Sequence, residues 1–94
     1  EATFPWNDLG SFASLQEVLP ADSQGNISMG SVTSENTANT VVISHPGHVV
    51  ATLGIKDLIV VTTSDATLVC HLDQAEDIKK IVETLKKQGH TGRL

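Results

Sequence analysis

In the stretch FPWNDLGSF, residues 4–12, a carboxylate, Asp8, sits two residues after Trp6 and two before Gly10. If residues 4–8 are extended, Phe4, Trp6 and Asp8 share one side of the strand. Gly10 then lets the backbone turn tightly or approach another group closely. A carboxylate held at such a strand end can bind Mg²⁺, with Gly10 leaving room for a phosphate or a sugar. The plainer reading is a turn in which Asp8 accepts hydrogen bonds from nearby N–H groups. Residue types alone leave both open.

The other reactive side chains converge less. His45 and His48 have an H-x-x-H spacing, but Pro46 and Gly47 between them signal a hairpin turn rather than a helix. A zinc site needs three or four convergent ligands, and the lone cysteine, Cys70, falls on a different expected strand. Cys70 and His71 are neighbours in a strand-like run, so their side chains point to opposite faces and make no dyad. Cys70 is expected to fill the core. No role follows from the sequence for His45, His48 or His71. There is no Ser nucleophile motif, no phosphate-cradling glycine loop and no GxGxxG. The triplet NIS at Asn26 is a formal glycosylation sequon and carries no weight alone.

Composition narrows the class. Ninety-four residues make one small domain or a piece of a larger protein. A net charge of −5 argues against nucleic-acid binding, which needs clustered Lys and Arg to meet phosphates. The basic residues fall mostly in KKIVETLKK, residues 79–87, interleaved with acid, as on a solvated helix face. No apolar run approaches the roughly 18 residues of a membrane span, and no signal-type segment opens the chain. One cysteine forms no internal disulfide, so the cytoplasm is the expected compartment.

The elements that must position these residues are mainly β with flanking helices. Residues 11–19, SFASLQEVL, place Phe12, Leu15, Val18 and Leu19 at helical spacing, with Ser11 in the N-cap position and Pro20 as the stop. PADSQGN, residues 20–26, is a loop. β-Branched runs at 40–44, 48–54, 57–64 and 66–72 predict strands of a meander, a barrel fragment or a small β-helix. ISMGSVTSENTAN, residues 27–39, reads as one irregular strand around Gly30, and no exact internal repeat is present. Residues 73–88 predict an amphipathic helix with an Asp73–Glu76 capping box and a face of Ala75, Ile78, Ile81, Val82 and Leu85. Lys86 and Lys87 in its last turn suit the helix dipole, and Gly89 stops it. The run LIVV, 58–61, is apolar on both faces, so the late helix is expected to cover one face and a missing domain or partner subunit the other.

Three stretches in order resemble the mannose-1-phosphate guanylyltransferases, also called GDP-mannose pyrophosphorylases. FPWNDLGSFASLQEVLP is similar to that family's W-x-D-x-G-S-W-x-x-L-x-E-V segment. GIKDLIVVTTSDATLVCHLDQAEDIKKIVETLKKQG is similar to its G-x-x-D-L-I-V-V-x-T-x-D-A-x-L-V run and the Q-x-x-K-x-I-V-x-x-L helix that follows. The resemblance covers nearly the whole chain, most weakly from about 26 to 40. Phe12 departs from the family's usual Trp. His71-Leu72 replaces a typically basic pair, which puts any phosphate-positioning role there in doubt; Lys79 is kept.

The resemblance implies a C-terminal fragment of a two-part enzyme. Residues 1–20 would end the catalytic domain with a strand and a helix, and 21–94 would form a β-rich association domain ending in a helix. The implied reaction joins GTP and mannose 1-phosphate to give GDP-mannose and pyrophosphate, with Mg²⁺ as cofactor. Asp8 matches a carboxylate associated with the metal, and Gly10 a glycine beside the sugar phosphate. The glycine-rich nucleotide-binding loop is absent, so the fragment alone is expected to be inactive, and the full protein a homo-oligomer without membrane partners. No isomerase-type domain is visible in the chain. A different class remains open: a non-catalytic β-rich oligomerisation or regulatory module.

Overall fold

The computed structural model describes Trp6 and residues 19–90. Six strands follow in order: β1 (Ile27–Met29), β2 (Ser31–Glu35), β3 (Val41–Ile43), β4 (Val49–Leu53), β5 (Leu58–Thr62) and β6 (Thr67–His71). A 3-10 helix (Leu72–Asp77) and an α-helix, α1 (Ile78–Lys87), complete the series. The helix expected over 11–19 lies outside the described residues except for Leu19.

The pairing selects the β-helix among the three expected architectures. β1, β3 and β5 stack in parallel, and β2 and β4 form a second parallel pair. Ser31 pairs with Val49, Ala38 with Lys56 and Val41 with Ile59, so successive coils are 18 residues apart. Pro46-Gly47 is therefore not a hairpin turn, because β3 and β4 lie in different sheets. The physical reason is burial: every residue of β3 is buried, stacking Val41 and Ile43 between Ile27 and Met29 of β1 and Ile59 and Val61 of β5. β4 alternates between exposed and covered positions and pairs with the similarly one-sided β2.

The upper coil is shorter, with Ile27 paired to Val41, a spacing of 14. Gly30 alone joins β1 to β2, whereas residues 44–48 join β3 to β4. Gly30 adopts φ +88°, and a Cβ there would stand 2.5 Å from the Ser44 carbonyl oxygen. This close approach demands glycine. It also makes residues 27–35 two strands rather than one irregular strand.

β6 does not continue the coil. It turns back antiparallel on β5, with Val61 opposite Leu68 and Ile59 opposite Cys70. One pleat of the four-stranded sheet thus aligns Ile27, Val41, Ile59 and Cys70 beside Met29, Ile43, Val61 and Leu68. Trp6, Ala75 of the 3-10 helix, and Ile78 and Val82 of α1 join the same core. Each fully buried Val or Ile contributes about 1.5–3 kcal/mol relative to exposure. Val60, on the opposite pleat, is also buried, so both faces of β5 are covered within this chain. No external cover for LIVV is needed.

Helix onset also differs from expectation. The His71 imidazole, not an Asp73–Glu76 box, caps the start: its Nδ1 accepts from the Asp73 backbone N–H at 3.1 Å. The first turns are 3-10, and regular α-helix begins only at Ile78. On α1, Ile81 is left substantially exposed while Ile78 and Val82 are buried. Lys86 and Lys87 occupy the last turn and Gly89 stops the helix at φ +90°, as expected. No described helix is long and apolar enough to cross a membrane.

Candidate functional site

Asp8 and Gly10 lie outside the described residues, but Trp6 of the same motif does not. Trp6 is 2% exposed and belongs to the core formed by Ile27, Val41, Ile59, Leu68 and α1. Among the described residues its buried indole Nε1 has no hydrogen-bond partner. If extended, residues 4–8 would put Trp6 on one side of a strand with Asp8; Trp6 instead has 3-10 geometry. That it anchors the C-terminal core is a long-range contact with no local signal.

The coil corners are set by polar side chains. Asn36 and Gly54, 18 residues apart, both have positive φ, as do Asn39 and Asp57. Asn and Asp tolerate this left-handed conformation better than other side-chain-bearing residues. The lower corner is tied by Asn39 Nδ2, which donates to Asp57 Oδ1 at 2.8 Å. Above it, Asn26 is 6% exposed and uses both ends of its amide. Its Nδ2 donates to the Thr37 carbonyl at 2.8 Å, and its Oδ1 accepts from Thr40 N–H at 3.0 Å. A sequon asparagine so engaged is closed to glycosylation in the folded state. Nearby, the Thr37 and Thr52 hydroxyls lie 2.9 Å apart and Thr52 Oγ1 donates to Ser34 Oγ at 2.8 Å.

A half-open cleft of about 460 Å³ lies against this corner, lined by Asp22, Gln24, Asn26, Glu35, Asn36 and Thr37 among others. Asp22 Oδ1 accepts from the backbone N–H groups of Gln24 and Asn26, both at 2.9 Å. The Asn26 bond is the largest influence holding the Asp22 carboxyl below its ordinary range. Among the described residues lining this cleft, two are carboxylates and none is basic. It does not suit an anionic nucleotide or sugar phosphate, which needs donors and positive charge.

His45 and His48 are joined through the backbone, the His48 N–H donating to the His45 carbonyl at 3.0 Å across Pro46-Gly47. His45 donates its backbone N–H to Thr62 Oγ1 at 2.9 Å, and its Nδ1 is buried without a partner. The His48 carbonyl accepts from Ser44 Oγ at 2.6 Å, and His71 caps the 3-10 helix. Cys70 is half-buried, and burial pushes its thiol pKa up, so it stays a neutral core-side group. Among the described residues no group of three or more His, Cys, Asp or Glu side chains could hold a metal ion.

The described geometry is that of a parallel coil closed by one antiparallel strand and a helix, and the comparisons with known proteins agree. The sequence model of the "MannoseP isomerase/GMP-like beta-helix domain" matches residues 30–85, from the Gly30 corner into α1. The chain belongs to this family. A mannose-1-phosphate guanylyltransferase of Salmonella montevideo is 47% identical over 84 residues, 89% of this chain but 18% of that protein. The alginate biosynthesis protein AlgA of Pseudomonas aeruginosa is 36% identical over 92% of this chain and 18% of its own length. A crystal structure described as a mannose-1-phosphate geranyltransferase from Thermus thermophilus superposes with a TM-score of 0.68 at 32% identity. It is matched over 88% of this chain and 25% of its own. The β-helix domain therefore spans less than a fifth of the length of these two curated relatives. The part matched is the C-terminal part of such enzymes.

Proposed function

We propose that this β-helix domain is the C-terminal part of a mannose-1-phosphate guanylyltransferase that uses GTP and mannose 1-phosphate. The observation that carries the reading is the 47% identity over 84 residues to a relative of that name. In the reaction a phosphate oxygen of mannose 1-phosphate attacks the α-phosphorus of GTP. A new P–O bond forms, the bond from the α-phosphorus to the oxygen bridging to the β-phosphate breaks, and pyrophosphate leaves. The task is positioning and charge neutralisation.

Residues 1–20 are assigned to the end of the catalytic domain and 21–94 to the association domain. Asp8 supplies a hard carboxylate oxygen of the kind Mg²⁺ takes, and Gly10 gives clearance beside the sugar phosphate. The ion, when bound, neutralises phosphate charge. Asp8 alone is a weak hold on such an ion, and the described part has no cluster of metal-binding side chains and no cationic cleft. Catalysis therefore needs the nucleotide-binding part, and the 94-residue chain by itself is inactive. Replacing Asp8→Asn in the full-length protein should lower turnover by about a hundredfold or more with unchanged circular dichroism. Unchanged turnover removes Asp8 from the mechanism.

The β-rich part serves assembly into a homo-oligomer in this reading. Its support is β4, an uncharged strand with an open edge among the described residues and with Val49 69% and Leu53 71% exposed. Open apolar edges of this kind invite a partner. A biosynthetic enzyme with a single, unpaired cysteine fits the cytoplasm.

A further inference from the structure

We propose that β4 is an acceptor edge, completed in the homo-oligomer by one extended, uncharged segment of a second subunit. The inference rests on the assembly reading and adds what the partner contributes there. The Gly54 N–H donates to the Glu35 carbonyl at 3.0 Å, so Gly54 turns its backbone groups toward β2. In a parallel pair the N–H and C=O of one residue point to the same side, and the side alternates along the strand. Thr52 and Val50 therefore also face β2, and Val49, Ala51 and Leu53 turn theirs to the open edge. Those donors and acceptors have no neighbouring strand among the described residues. The same three residues are exposed, and none is charged.

A second observation marks the same place. Thr67–His71 follows Val49–Leu53 by the 18 residues that separate β4 from β2, the distance at which a further coil would pair with β4. β6 instead turns back onto β5. Val69 extends the row of Val42 and Val60 on the pleat away from Trp6 and α1; those two are buried, whereas Val69 is 59% exposed. Among the described residues β6 lies beyond β5, but no strand lies beyond β4 to face it. A whole β-helix stacked end-on would need the β5 edge as well as the β4 edge, and β6 already holds the former. One strand fits what remains, with main-chain bonds supplying affinity and alternate side chains covering Val69. A charge on that covered side would be buried unpaired, which excludes Lys, Arg, Asp and Glu there. The matched part is 18% of the Salmonella montevideo relative, so a full-length protein of that kind has chain enough outside the domain to lend such an arm.

The test is single-residue amide exchange and sedimentation of the full-length protein, at concentrations above and below its dissociation, with Val69→Lys as the variant. In the oligomer the Val49, Ala51 and Leu53 amides should exchange about a hundredfold slower than in the monomer. Val50 and Thr52, bonded to β2, should stay protected in both. Val69→Lys should weaken association about tenfold or more. It should leave the Tm of the 94-residue chain nearly unchanged, because Val69 is exposed there. An oligomer whose three edge amides exchange as fast as the monomer's overturns the proposal and leaves the assembly reading standing. Undiminished association of Val69→Lys overturns it too. Protein that stays monomeric at every concentration overturns both, and edge protection already complete in the monomer overturns the second subunit as the donor.

Discussion

Gly30→Ala is the sharpest test of the coil geometry. The residue has φ +88°, and its new Cβ would meet the Ser44 carbonyl oxygen at 2.5 Å and Ser44 Cβ at 3.1 Å. The left-handed backbone costs an L residue about 1–2 kcal/mol. Forcing backbone atoms apart in a packed corner costs about 1–3 kcal/mol more. Gly47→Ala carries the first effect alone, because Gly47 has φ +81° and nothing within 4 Å of its added Cβ, so subtracting it leaves the second. Both variants gain similarly from a stiffer unfolded chain. The difference between them is therefore about 1–3 kcal/mol, which for a domain of this size shifts Tm by about 4–24 °C. Thermal unfolding of the 94-residue chain followed by circular dichroism measures it. Gly30→Ala should melt well below Gly47→Ala, and coincident melting of the two would refute the close stacking of Gly30 on Ser44.

Asn26→Ala strands the Thr37 carbonyl and Thr40 N–H, both bonded by the buried amide, and should destabilise the chain by about 2–5 kcal/mol in urea unfolding. A loss under about 0.5 kcal/mol would show that these groups find other partners. Burial raises the Cys70 thiol pKa, so native Cys70 should alkylate with iodoacetamide more slowly than free cysteine at about pH 8 and at the free rate in urea. Equal native and unfolded rates would contradict that placement. Leu53→Lys puts charge on the open β4 face and should reduce the sedimentation coefficient of the proposed full-length homo-oligomer toward that of the monomer; an unchanged value assigns assembly to another surface.

Legibility in the sequence followed the range of the interaction. α1 was readable because Ile78, Val82 and Leu85 repeat at helical spacing and Gly89 ends it. The strands from 40 onward were readable from β-branched runs, whose boundaries then moved by only a few residues. Their pairing was not, because the 18-residue repeat lies in backbone conformation rather than identity. Asn36 matches Gly54 and Asn39 matches Asp57, different residues sharing one left-handed corner. The shorter upper coil, set by Gly30 against residues 44–48, further masks the period. The His71 cap escaped because imidazole is an uncommon cap beside an Asp-x-x-Glu pattern that fits the capping box. For the site, Asp8 and Gly10 were legible only as a motif, whereas the anchoring of Trp6 depends on residues more than twenty positions away.

The central claim is tested most directly by pyrophosphate release from the full-length gene product with GTP and Mg²⁺, comparing mannose 1-phosphate with glucose 1-phosphate. The account predicts release specific to mannose 1-phosphate. No release with either sugar, from protein shown to be folded, would contradict it and leave the β-helix domain as a non-catalytic assembly module.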